Sequence, residues 1–230
     1  MDFKGEKKMS RTVIEESAGK IDPKTISCIA DYILMRMLRR EKSTGGIHLP
    51  KSANQGTELA IGEVMDVGRS VPNTRSHHRI PIDDIKKGEY ALTIQYMGED
   101  MRLAEEDYKF VREHGVWATV EFKDLKTWDI KDVHPRFNSI LIEPEKEETT
   151  ESGNIYLPNE QNAQSGVRRA TVVKVGPGGW HLPSLKRLPV ELNPGDQVVF
   201  QRYAGAVVKM NGTEYRLCQE QDIHMITEKV

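Results

Sequence analysis

The sequence predicts an all-β protein built as two tandem small barrels. Three observations carry this reading. The chain repeats itself at an offset of about 107 or 108 residues, so internal duplication is its dominant signal. Its apolar runs are short, rich in Val, Ile, Tyr and Thr, and bounded by Gly, Pro or Asn, as strands are. Its 230 residues allow one large domain or two small ones, and each half, at about 100 residues, could bury roughly 60–65% of its unfolded surface and fold alone.

The repeat can be followed element by element. "STGGIHLPKSANQG" (43–56) answers "ESGNIYLPNEQNAQSG" (151–166). "ELAIGEVMDVG" (58–68) then answers "RRATVVKVG" (168–176), both alternating runs that end in Val-Gly. "DDIKKGEYALTIQY" (83–96) matches "VELNPGDQVVFQRY" (190–203), and the halves close on "GVWATVEF" (115–122) and "DIHMITEKV" (222–230). In "AVVKMNGTEYRLC" (206–218), Asn211-Gly212 marks a hairpin, because both central positions of a type I′ turn need a positive φ. "ISCIADYILMRMLRR" (26–40) carries apolar residues at helical spacing, yet the repeat sets 31–39 opposite "FNSILIEP" (137–144), which predicts a strand. "KDLKTWDIKDVHP" (123–135) is polar and ends in Pro, a linker or an additional edge. The resulting division is a tail at 1–22, a first domain at 23–122, a linker at 123–134 and a second domain at 135–230.

Composition excludes several classes. A net charge of −2 argues against a generic nucleic-acid binder, and stacking platforms are lacking. No apolar run approaches the roughly 20 residues of a membrane span. The first 20 residues mix both charges and lack a signal-peptide core. Cys28 and Cys218 are too few for a disulfide framework, which suits a reducing, cytoplasmic compartment. "VGPGGW" (175–180) lacks dinucleotide-binding spacing, and the adjacent His77 and His78 have no further ligand at metal-binding spacing. No catalytic constellation stands out, so no enzyme, cofactor or metal is expected.

The segment "PRFNSILIEPEKEETTESGNIYLPNEQNAQSGVRRATVVKVGPGG" (135–179) resembles the opening of GroES-type co-chaperonins. "LNPGDQVVFQRYAGAVVKMNGTEYRLCQEQDIHMI" (192–226) resembles their remainder. In residues 26–122 the likeness rests on "GGIHLP", "GEVMDVG" and "IKKGEYALTIQY". The whole looks like a tandem co-chaperonin, similar in arrangement to chloroplast family members. The resemblance implies two GroES-like Greek-key barrels and a lid function on an ATP-driven GroEL-type chaperonin ring that encloses unfolded clients. It implies mobile loops whose binding trios are Ile47-His48-Leu49 and Ile155-Tyr156-Leu157. The family commonly has a small aliphatic residue where His48 and Tyr156 stand. It also implies that two loops, locally basic through Arg69, Arg75, Arg79, Lys186 and Arg187, roof the enclosed space.

An apolar trio held out in water makes physical sense as an edge that a partner buries. Gly45 and Gly46, or Gly153, let the backbone leave standard conformations, while Pro50 and Pro158 stop a strand from extending. Burying an Ile and a Leu gains about 3–6 kcal/mol per loop. Ordering each loop residue costs roughly 1–2 kcal/mol. One loop therefore binds weakly, whereas several on a homo-oligomeric ring bind well. His48, if unperturbed, titrates near neutral pH, and its protonation would weaken an apolar edge. The competing expectation is a structural or assembly protein with the same duplicated barrel and no chaperonin partner.

Overall fold

The computed structural model describes residues 22–38, 59–72, 79–103, 105–145, 149–152, 155–158, 166–181, 184 and 186–229. Nearly all of them are strand or turn. The chain divides into two compact units, the first mainly within 22–38 and 60–120, the second within 121–181 and 186–229. Each is a barrel with Greek-key strand order.

In the first unit the strands are β1 (Tyr32–Met37), β2 (Leu59–Val67), β3 (Ser70–Pro72), β4 (Arg79–Pro81), β5 (Tyr90–Ile94), β6 (Glu99–Leu103), β7 (Glu106–Arg112) and β8 (Val116–Asp124). Their order across the main sheet is β8-β5-β2-β1-β7-β6, and β3 and β4 form a separate hairpin. The second unit holds β9 (Asp129–Pro135), β10 (Ser139–Pro144), β11 (Thr149–Ser152), β12 (Ile155–Pro158), β13 (Val167–Val175), β14 (Gly179–His181), β15 (Lys186–Leu188), β16 (Gln197–Gln201), β17 (Ala206–Met210), β18 (Thr213–Gln219) and β19 (Ile223–Glu228). Its main sheet runs β19-β16-β13-β10-β18-β17-β9, with β11–β12 and β14–β15 as separate two-stranded sheets.

The central strands β1 and β10 explain the ambiguous periodicity of residues 26–40. Ile33 and Met35 pack into one apolar cluster with Val64, Ala91, Val111 and Val116, while Leu34 packs on the opposite face with Cys28, Leu103 and Tyr108. A strand buried on both faces reads as a continuous apolar run and loses its alternation. Ile29, which the helical spacing would place inside, is 77% exposed. In β10, Ile140, Leu141 and Ile142 are all fully buried.

The duplication extends to irregular features. Each central strand has a bulge against its neighbour, at Leu34/Met35 and at Leu141/Ile142. Just before each strand stands a non-glycine residue with positive φ, Ala30 at 54° and Phe137 at 49°. The carbonyls of these residues accept backbone N–H bonds from Ser70 and Gly178 respectively. Gly68 and Gly176 pass so close that an added Cβ would lie 2.3 Å from the Ala30 oxygen and 2.1 Å from the Phe137 oxygen. That contact is why both alternating runs end in Val-Gly. The hairpin at Asn211-Gly212 has positive φ at both residues, 53° and 81°, as a type I′ turn requires.

The polar stretch 123–135 contains the end of β8, a turn and β9. Strand β8 runs on to Asp124, Trp128 takes a positive φ of 59°, and β9 follows, meeting β17 in parallel at Ile130 and Met210. Lys131 bonds Glu121 at 2.8 Å, and Lys174 of β13 bonds Asp132 at 2.6 Å.

The close approaches make a clear prediction. Gly68→Ala and Gly176→Ala each press a methyl group into backbone and should cost about 1–3 kcal/mol, as overpacking does. Gly166→Ala, whose Cβ meets nothing within 4 Å, serves as the neutral control. Thermal melts of the three variants check this, and equal melting temperatures would show that the contact does not constrain the barrels.

Candidate docking hairpin

The segment carrying the second apolar trio leaves β10 after Pro144 and returns at β13. Both of its stems are tied to the barrel. The Glu145 N–H donates to the Arg169 carbonyl at 3.1 Å, and the Arg168 guanidinium donates to the Glu145 carbonyl at 3.0 Å. At the other stem the Arg202 N–H donates to the Gly166 carbonyl at 3.0 Å.

Between the stems, β11 and β12 pair only with each other, in a two-stranded sheet distinct from that of the barrel. Thr149 stands opposite Pro158, Thr150 opposite Leu157, Glu151 opposite Tyr156 and Ser152 opposite Ile155. The trio is therefore the second strand of a hairpin. In an extended strand alternate positions share a face. The sequence held a signal for this: "TTES" and "IYLP" flank a Gly-Asn pair, a two-residue hairpin connection. Gly153 itself lies outside the described residues.

In the first barrel, Leu38 N–H donates to the Ile61 carbonyl at 2.9 Å, the counterpart of the Glu145 bond. Gly45, Gly46, Ile47, His48, Leu49 and Pro50 lie outside the described residues, as do Arg75, His77 and His78. The remaining basic residues expected in roof loops sit at or beside short hairpins. Arg79 of β4 bonds the Ser70 hydroxyl at 3.2 Å, and Arg187 of β15 lies 4.8 Å over the Trp180 ring of β14.

Reactive chemistry is not provided for at either thiol. Burial, reinforced by Asp66, pushes Cys28 up to about 11. Burial, reinforced by Asp222, pushes Cys218 up to about 12. Among the described residues no cluster of His, Cys, Asp and Glu could hold a metal ion, and no helix is long and apolar enough to cross a membrane.

One main sheet per unit, a trio on its own hairpin and an internal repeat describe a duplicated small-barrel protein. Residues 25–120 and 132–227 each match the family described as Chaperonin 10 Kd subunit. The Co-chaperonin GroES of Mycobacterium avium (strain 104) is 32% identical over 98 residues, covering 43% of this chain and 96% of that protein. The Co-chaperonin GroES of Mycobacterium leprae (strain TN) is 33% identical over 97 residues, covering 42% of this chain and 95% of that protein. The chain belongs to the Chaperonin 10 Kd subunit family and carries its unit twice.

The thiol environment is testable. At pH 8 a thiol reagent should label Cys28 and Cys218 of the folded protein slower than those of the denatured chain by roughly a hundredfold or more. Equal rates would mean that one barrel opens readily.

Proposed function

We propose that this protein caps an ATP-driven GroEL-type chaperonin ring through residues 43–56 and 151–166 and assists folding of enclosed clients, without enzymatic activity of its own. One barrel spans 23–122 and the other 135–230, each presenting one trio. The observation that carries the reading is the hairpin β11–β12. It sets Ile155 and Leu157 on a two-stranded sheet separate from the barrel sheet, tethered at both stems. An apolar strand paired outside the barrel sheet suits burial by a partner groove.

The face pattern also accounts for the unusual middle residue. Positions 155 and 157 share a face that docks, so position 156 accepts a Tyr where the family commonly has a small aliphatic residue. The same logic extends to Ile47 and Leu49 around His48. Each edge gains about 3–6 kcal/mol from its two anchors, too little for tight binding alone after ordering costs. Capping therefore requires several copies in a ring, whose later contacts are intramolecular. A cytoplasmic setting and unfolded polypeptide clients complete the reading.

Replacing Ile47, Leu49, Ile155 and Leu157 together by Ala should abolish ATP-dependent co-sedimentation with a GroEL-type chaperonin while leaving the melting temperature unchanged. Retention at the wild-type level would assign docking to another surface.

A further inference from the structure

The turn that joins β17 to β18 carries a chemical group that its counterpart in the first barrel lacks. The β17–β18 ladder ends at the Met210–Thr213 pair, so Asn211 and Gly212 stand outside it as a two-residue turn. Both are exposed, and both hold a positive φ. A Cβ added at Gly212 would meet nothing within 4 Å, so nothing crowds that residue. In the first barrel the Leu103–Glu106 pair closes a loop of Ala104 and Glu105, which has no side-chain amide.

Asn211 is the one Asn of the chain that precedes Gly. That order matters because the backbone nitrogen of the next residue can attack a side-chain amide, and Gly has no side chain to hinder the approach. The other two Asn residues among those described are protected. The Ser139 N–H, next to Asn138, donates to the Arg136 carbonyl at 2.9 Å. Asn193 precedes Pro194, which has no N–H. At Asn211 a further group is in place. The ammonium of Lys123, at the end of β8 that lies in the second compact unit, donates to the Asn211 Oδ1 at 2.5 Å. An ammonium has donors only, so it holds the carbonyl oxygen of the amide and not its nitrogen. Negative charge develops on that oxygen when the carbonyl carbon is attacked, and a donor already aimed there stabilises it.

We infer that Asn211 is a site of spontaneous deamidation, assisted by the Lys123 ammonium. The Gly212 nitrogen gives its proton to solvent base and bonds to the Asn211 Cγ as the tip of the hairpin frays. The Cγ–Nδ2 bond breaks, the departing nitrogen takes a proton from water, and ammonia leaves behind a five-membered succinimide. Water then opens the ring at one of its two carbonyls, leaving an aspartyl or an isoaspartyl residue at position 211. No atom is oxidised or reduced. The aspartyl form keeps the turn, since Asp tolerates a left-handed backbone, and it sets a carboxylate beside Lys123. The isoaspartyl form carries the main chain through the former side chain and adds a carbon to a turn fitted to two residues. That product loosens the end of a ladder whose strand β18 holds the fully buried Leu217 and Cys218. The second barrel thus acquires a mark with age that the equivalent turn of the first does not.

The test holds the folded, full-length protein at mildly alkaline pH and follows the peptide 210–216 by mass spectrometry, with separation of its aspartyl and isoaspartyl forms. Asn211 should convert about tenfold faster than Asn138 or Asn193, and the rate should rise with pH because the Gly212 nitrogen reacts after losing its proton. Lys123→Met removes the ammonium and should slow conversion roughly three- to tenfold, less than a buried oxyanion donor would because the turn is wet. Lys123→Arg keeps a donor and should restore most of the rate. An Asn211 that stays intact in the folded protein while the denatured chain converts would overturn the site. Conversion at the wild-type rate in Lys123→Met, or no recovery in Lys123→Arg, would overturn the assistance by Lys123.

Discussion

The passage of Gly68 against the Ala30 carbonyl, repeated by Gly176 against Phe137, fixes the entry of the chain into each barrel. Ala30 and Phe137 take left-handed backbone there, and their carbonyls bond N–H groups from the chain that follows the glycine. A strained residue persists only where its surroundings over-determine it. Here the surroundings are the central strands, buried on both faces and bulged at the same step in both copies. Those strands set the register of β2 and β7, and of β13 and β18, and thereby where the segment between β10 and β13 begins and ends. The β11–β12 hairpin inherits its anchoring from this constraint.

Much of the fold was legible because the sequence states it twice. The helical spacing of residues 26–40 pointed the wrong way on its own, and only the opposed strand "FNSILIEP" corrected it. Periodicity fails at such a strand because both faces are apolar, so Ile33, Leu34 and Met35 show no alternation. Asn211-Gly212 was readable from its turn chemistry alone. Strand β9 was harder, since Ile130 and Val133 are buried between polar neighbours and no repeat partner advertises them.

The candidate site was legible in composition but not in form. Gly and Pro around each Ile–aromatic–Leu trio marked a special segment, while the pairing of β11 with β12 emerges only from the register of residues 149–158.

The capping role makes one demand that an assembly-only barrel does not: nucleotide-dependent union with a chaperonin ring. Native mass measurement of the protein, alone and mixed with a GroEL-type chaperonin and ATP, addresses this directly. A capping role requires an oligomer by itself and a discrete complex with the ring that forms only when nucleotide is present. A folded protein that yields no such complex at any mixing ratio would contradict it.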